Sequence, residues 1–204
     1  VYAEMKEDGI QIIFLNQPKK KNAISAPMMD ILSDLLVAAD TNDEVRVIVL
    51  RGTGEVFSSG GDLNQTAPEE QSPEHARKTL KRYERAIQAI RTISKPVIVM
   101  VDGYAVGGAF ALALAADLVC VSDRALFVPA FCQVGIVPEM GIMKYLPELV
   151  GAQRAKEILF LGGKFDGTAM YDLGLANRVF PADQLEQETL QFARQVADMP
   201  DASI

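Results

Sequence analysis

Tryptophan is absent from this chain, histidine occurs once and cysteine twice, and each scarcity removes a class of chemistry. His75 stands alone in a polar stretch with no Ser-His-Asp or Cys-His pattern around it, so it reads as a surface residue and no nucleophilic triad is expected. No cluster of His, Cys, Asp and Glu has the spacing of metal ligands. Cys120 and Cys132 both lie among apolar residues, which favours two small reduced hydrophobes over a disulfide and points to a cytoplasmic setting. Positive charge is also short: 20 Lys and Arg against 27 Asp and Glu give −7, which argues against nucleic acid, because neutralising phosphates takes a basic face. The longest apolar stretch, Tyr104 to Val121, is broken by Gly107, Gly108 and Asp117. It falls short of the roughly 18 uninterrupted apolar residues of a membrane span, so it reads as buried interior and no membrane partner is expected. The start lacks a signal-peptide pattern, and Val1 in place of Met suggests that the sequence begins inside its gene product.

What is present is ordinary for a globular chain. With 49% hydrophobic and 23% charged residues, one sizeable domain with its own core is the default. Alternation in Val1 to Lys6 and Ile10 to Asn16, split by Glu7-Asp8-Gly9, predicts a β-hairpin. Ser25 is a plausible N-cap, followed by Pro27 and by Met28, Ile31, Leu32, Leu35, Leu36 and Ala39 at helical spacing, so a helix should run to about Asp40. Val45 to Leu50 and Pro96 to Val101 are short β-branched runs of the kind buried in parallel sheets. Asn64 to Ser72 is polar and reads as a loop over a site, and Pro73 to Ile93 keeps a helical period. Gly107-Gly108 opens a small-residue helix through Ala116, strands follow at Leu118 to Ser122 and near Leu126, and helices near Met143 to Leu149, Ala152 to Leu161 and Leu185 to Met199. Strands alternating with helices indicate an α/β fold with mainly parallel sheets.

Two glycine motifs could carry chemistry. Phe57-Ser58-Ser59-Gly60-Gly61-Asp62-Leu63 directly follows a strand, and its glycines permit positive φ and close ligand approach, although a plain tight turn also accounts for them. Asp102-Gly103-Tyr104-Ala105-Val106-Gly107-Gly108-Ala109-Phe110 puts glycines at a helix N-terminus, where unpaired N–H groups favour a negative oxygen; close helix packing is the other explanation.

Taken in order, with Pro18 to Ile24 before them, Lys95-Pro96-Val97-Ile98 between and Val134-Gly135-Ile136-Val137-Pro138 after, these motifs resemble the crotonase superfamily of enoyl-CoA hydratases and isomerases. The resemblance runs through nearly the whole chain and is closest in pattern to the isomerases. It implies an α/β spiral of ββα units with two roughly perpendicular sheets and surrounding helices. The core would be residues 1–180, with 181–204 beginning a C-terminal helical segment that family members continue further. It also implies an acyl-CoA substrate rather than a resident cofactor, lipid metabolism, and a homotrimer or hexamer. Matched motif to motif, an oxyanion hole would fall on the N–H groups of Gly61 and Gly108. Coenzyme A would lie against Lys19, Lys20, Lys21, Ala23, Ser59, Gly60, Asp62 and Leu63; for the lysines a solvated basic turn is the alternative, and for Asp62 a turn or helix-cap role.

The resemblance places the two glutamates of family hydratases at Ala111 and Phe131, where no carboxylate exists. One acid stands nearby. Glu139 follows Pro138, at a position where a subset of double-bond-shifting members carries its acid, and Phe131, Ile136 and Met140 would desolvate it and raise its pKa. Isomerisation with Glu139 as proton shuttle is therefore expected, against other thioester chemistry on the same scaffold, a non-catalytic acyl-CoA binder, or a Glu139 that only caps the next helix.

Overall fold

The computed structural model describes residues 1–62 and 72–200. The loop expected from Asn64 and the candidate contact Leu63 fall largely outside them, apart from Ser72.

The predicted hairpin forms from β1 (Tyr2–Met5) and β2 (Ile10–Leu15), antiparallel and joined by a short 3₁₀ turn at Glu7–Gly9. Helix α1 (Ala26–Asp40) follows, and the Ser25 hydroxyl accepts from the Met28 N–H at 3.3 Å, a cap whose removal costs about 1 kcal/mol. Strand β3 (Val47–Gly52), helix α2 (Pro73–Thr92), strands β4 (Val97–Val101) and β5 (Tyr104–Val106), and helix α3 (Gly108–Ala115) come next. Then follow β6 (Leu118–Ser122), β7 (Leu126–Val128), α4 (Ile142–Val150), α5 (Ala152–Leu161), β8 (Phe165–Asp166), α6 (Gly167–Asp172), β9 (Arg178–Phe180) and α7 (Leu185–Ala197).

Two sheets result. The larger has the order β1-β2-β3-β4-β6-β9 and is parallel beyond its first hairpin; the smaller is β5-β7-β8. The apolar runs are buried because helices cover both faces of the larger sheet. Val47 and Val49 face α7 with Ile10, Ile12, Ile98 and Met100, while Ile48 and Leu50 join the main core under α1, α2 and α3. Each such side chain contributes about 1.5–3 kcal/mol by leaving water, so the strand ends that carry the glycine motifs stand on a rigid base. All eight residues of α3 are buried, as its uniformly small and apolar sequence demands.

Two expectations change. Cys120 is buried but Cys132 is exposed, because it sits in a 3₁₀ turn at the surface; both are free thiols. Ile136 is 40% exposed and lies outside the packing expected around Glu139, since the turn at Gly135 carries it outward. Among the described residues no helix is long and apolar enough to cross a membrane.

Candidate active site

The first glycine motif is bent into place at the end of β3. A side chain at Gly52 would collide with the carbonyls of Val56 and Phe57, so the chain can double back there only with glycine. Asn22 fastens the turn. It is fully buried, its amide donates to the carbonyls of Thr53 (2.8 Å) and Val56 (3.0 Å), and its oxygen accepts from the Gln17 N–H (2.9 Å). From there the chain runs beside β5 like a further strand: Phe57 N–H donates to Asp102 O, Ser58 N–H to Tyr104 O, and Val106 N–H to Ser58 O.

Gly60 has φ +86°, and a Cβ there would strike the Val106 carbonyl. Its N–H donates to the Ser58 hydroxyl at 3.1 Å. Ile24 then pairs with both neighbours of Gly61, donating to Gly60 O at 2.7 Å and accepting from Asp62 N–H at 2.8 Å. A parallel bridge of this kind turns the N–H of Gly61 itself to the opposite side. The second motif ends likewise: Gly107, at φ +53°, donates to Val128 O, and Gly108 becomes the first residue of α3. Among the described residues neither the Gly61 nor the Gly108 N–H has a protein acceptor. Two donors offered from locked backbone, one at a helix N-terminus, suit an oxygen that gains negative charge.

The acid is brought to the same place by the segment before α4. Met140, buried and at φ +56°, packs its sulfur where a Cβ on Gly108 would lie, 2.8 Å from it. Glu139 is therefore one residue from the Gly108 donor's cover. It is half-buried, and burial pushes its carboxyl pKa above the ordinary value. The N-cap of α4 is Gly141, so capping that helix is not the work of the Glu139 side chain. Ala111 and Phe131 are both buried and apolar, and offer no proton-transfer group.

The remaining predicted contacts divide. Lys19, Lys20 and Lys21 form an exposed turn over the motif: Lys20 pairs with Asp62 at 3.0 Å, and the Lys21 carbonyl accepts from Ser59 N–H at 2.9 Å. Asp62 is thus an ion-paired carboxylate with a nearly buried side chain, and the N-cap of α2 is Ser72 instead. Ala23 is buried, its N–H donating to Lys20 O at 3.1 Å, and His75 is exposed. The structure adds two residues that sequence reasoning passed over. Asn22 carries no signal of its own in the sequence, and Tyr83 holds one more apolar position in a helix; burial first, then the charges of Glu139 and Asp62, raise its phenol pKa and mark it out. Among the described residues no group of His, Cys, Asp and Glu could hold a metal ion.

Comparison with known proteins identifies the family. The family model described as enoyl-CoA hydratase/isomerase matches residues 5–204. An Arthrobacter 4-chlorobenzoyl coenzyme A dehalogenase-2 is 35% identical over 195 residues, 95% of this chain and 71% of that protein. The Escherichia coli 1,2-epoxyphenylacetyl-CoA isomerase is 30% identical, covering 95% and 75%. Among solved structures, an enoyl-CoA hydratase from Polaromonas sp. JS666 superposes with a TM-score of 0.92 at 32% identity, covering 98% of this chain and 78% of that one. The α/β fold with two sheets and surrounding helices matches the solved relative, and the chain belongs to the enoyl-CoA hydratase/isomerase family, the crotonase superfamily.

Proposed function

We propose that the protein is an enoyl-CoA isomerase that moves a double bond through a dienolate, with Glu139 as proton shuttle. The observation that carries this reading is the pairing of one half-buried carboxylate with two backbone donors, where the hydratase positions hold Ala111 and Phe131. The thioester oxygen sits between the N–H groups of Gly61 and Gly108. Glu139 takes an allylic proton, the electron pair spreads onto the thioester oxygen, and Glu139 returns the proton to a different carbon. No water is consumed. A carboxyl whose pKa is raised by burial suits both halves of that exchange. The donors act on charge that exists only after proton removal, typically for about 2.7–4 kcal/mol each. Lys19, Lys20, Lys21, Ala23, Ser59, Gly60, Asp62 and Leu63 enclose the coenzyme A portion.

The test supplies 3-enoyl-CoA and 2-enoyl-CoA and identifies the products. Interconversion without water addition supports the reading, and Glu139→Gln should lower turnover about 10²–10⁴-fold while acyl-CoA still binds. Near-normal turnover in the folded variant removes Glu139 from the reaction. A second reading rests on the 35% identical relative named as a 4-chlorobenzoyl-CoA dehalogenase. There the same carboxylate would serve as nucleophile, and chloride release from 4-chlorobenzoyl-CoA separates the two.

A further inference from the structure

Helix α2 ends beside the end of α3: the Arg91 guanidinium donates to Ala115 O at 3.4 Å and lies 3.8 Å from Asp117. The two helices also pack against each other. At 1.5 Å per residue, going back from Arg91 to Tyr83 and from Ala115 to Gly108 covers roughly 12 and 10 Å, so Tyr83 is level with the Gly108 end of α3. It also faces inward. Ala86, Ile87 and Ile90, three, four and seven residues on, form the buried stripe of α2, and the Tyr83 ring packs against the same core.

We propose that Tyr83 is a positioning residue for Glu139: its ring, on the core-facing side of α2 and level with Gly108, carries the hydroxyl toward the acid side of the acyl site, where it donates a hydrogen bond to the Glu139 carboxylate through one water. The electrostatics agree. Burial first, then the charges of Glu139 and Asp62, raise the phenol's pKa against the opposing effect of Arg82, so Tyr83 stays neutral and remains a donor. The other charges around the pair are accounted for. Arg82 is held by Asp30 and Arg85 by Asp34 on α1, and Asp62 by Lys20. Helix α3 contributes no ionisable group, and on α4 Lys144 lies over the Tyr145 ring. A donor here works against burial by favouring the ionised carboxylate, keeping Glu139 in its base form and aimed at the acyl chain.

The inference rests on the acyl-site reading but is tested by a measurement that needs no particular reaction. Protein labelled with ¹³C at its glutamate carboxyls is titrated by NMR, with Glu139→Gln assigning the signal, for wild type and Tyr83→Phe. Phenylalanine keeps the ring in the core, and circular dichroism checks the fold. Loss of the donor should raise the Glu139 midpoint by about one unit. With an enoyl-CoA substrate, kcat should fall about tenfold, with KM within twofold and the acid limb of the pH profile moved upward. In a Glu139→Gln background the same change should cost nothing further. An unchanged Glu139 midpoint in Tyr83→Phe overturns the inference, even in a protein that isomerises enoyl-CoA. A shifted midpoint in a protein that does not isomerise upholds the pairing and discards the reaction.

Discussion

The two halves of the candidate site are built on opposite principles. The donor cradle is main chain, and nearly every hydrogen bond around it is spoken for: Ile24 grips Gly60 and Asp62, Ser58 pairs with Tyr104 and Val106, and Gly107 binds Val128. The acid arm, 135–141, leaves Ile136 and Val137 exposed, bends at three positive-φ residues, Gly135, Met140 and Gly141, and holds Met140 in a conformation that costs a non-glycine residue about 1–2 kcal/mol. The cradle presents main-chain N–H groups, braced by the Asn22 amide and the Ser58 hydroxyl. The arm presents a single side chain. In the proposed reaction this division would keep the intermediate constant and let a single side-chain position choose what becomes of it.

The strongest way to break that comparison is to strike the cradle. Gly60→Ala adds a Cβ against the Val106 carbonyl at a φ that alanine resists, and neither neighbour can move without undoing the pairing of Ser58 with β5. Displacing one donor should cost about 10²–10³ in kcat, measured with whichever acyl-CoA the enzyme turns over. Gly108→Ala is a milder blow, because its Cβ meets only the sulfur of Met140, a flexible side chain. About a tenfold loss is expected, with part recovered when Met140→Ala is added. If Gly108→Ala costs as much as Gly60→Ala and the second change restores nothing, the arm is as rigid as the cradle and the contrast fails.

How far each half was legible follows from the same division. The hairpin, α1 and the apolar strands were readable because period and caps are local signals, and the resemblance ordered the glycine motifs along the chain. Strand β5 went unseen. Tyr104-Ala105-Val106 is three residues between glycines, and its pairing with β7 and Ser58 is set by distant chain. The small elements β8, α6 and β9 were missed for the same reason. Asn22 could not be recognised as the clamp of the 52–57 turn, since its partners lie 31 and 34 residues away. Asp62 had a turn's sequence but takes Lys20 as its partner across the fold. Ile136 was expected to shield Glu139 from its apolar character alone, whereas the αL residue at Gly135 sends it to solvent.

The smallest effect concerns stability and probes the arm by itself. Burial raises the Glu139 pKa above its unfolded value, so the folded state holds the protonated acid more tightly than the unfolded chain does. Its favourable contribution is complete below the unfolded pKa and is lost as pH rises through the folded one; above that, an ionised carboxylate must be kept half-buried. Glu139→Gln removes the ionisation while preserving shape. The variant should therefore melt higher than wild type at pH 8, and the gap should close as pH falls toward 4. Calorimetry at the two pH values reads the sign of the gap and its closing. A variant that is less stable at pH 8 would mean that the Glu139 carboxylate holds the arm in place, and that the arm is fastened by charge as firmly as the cradle is by its backbone.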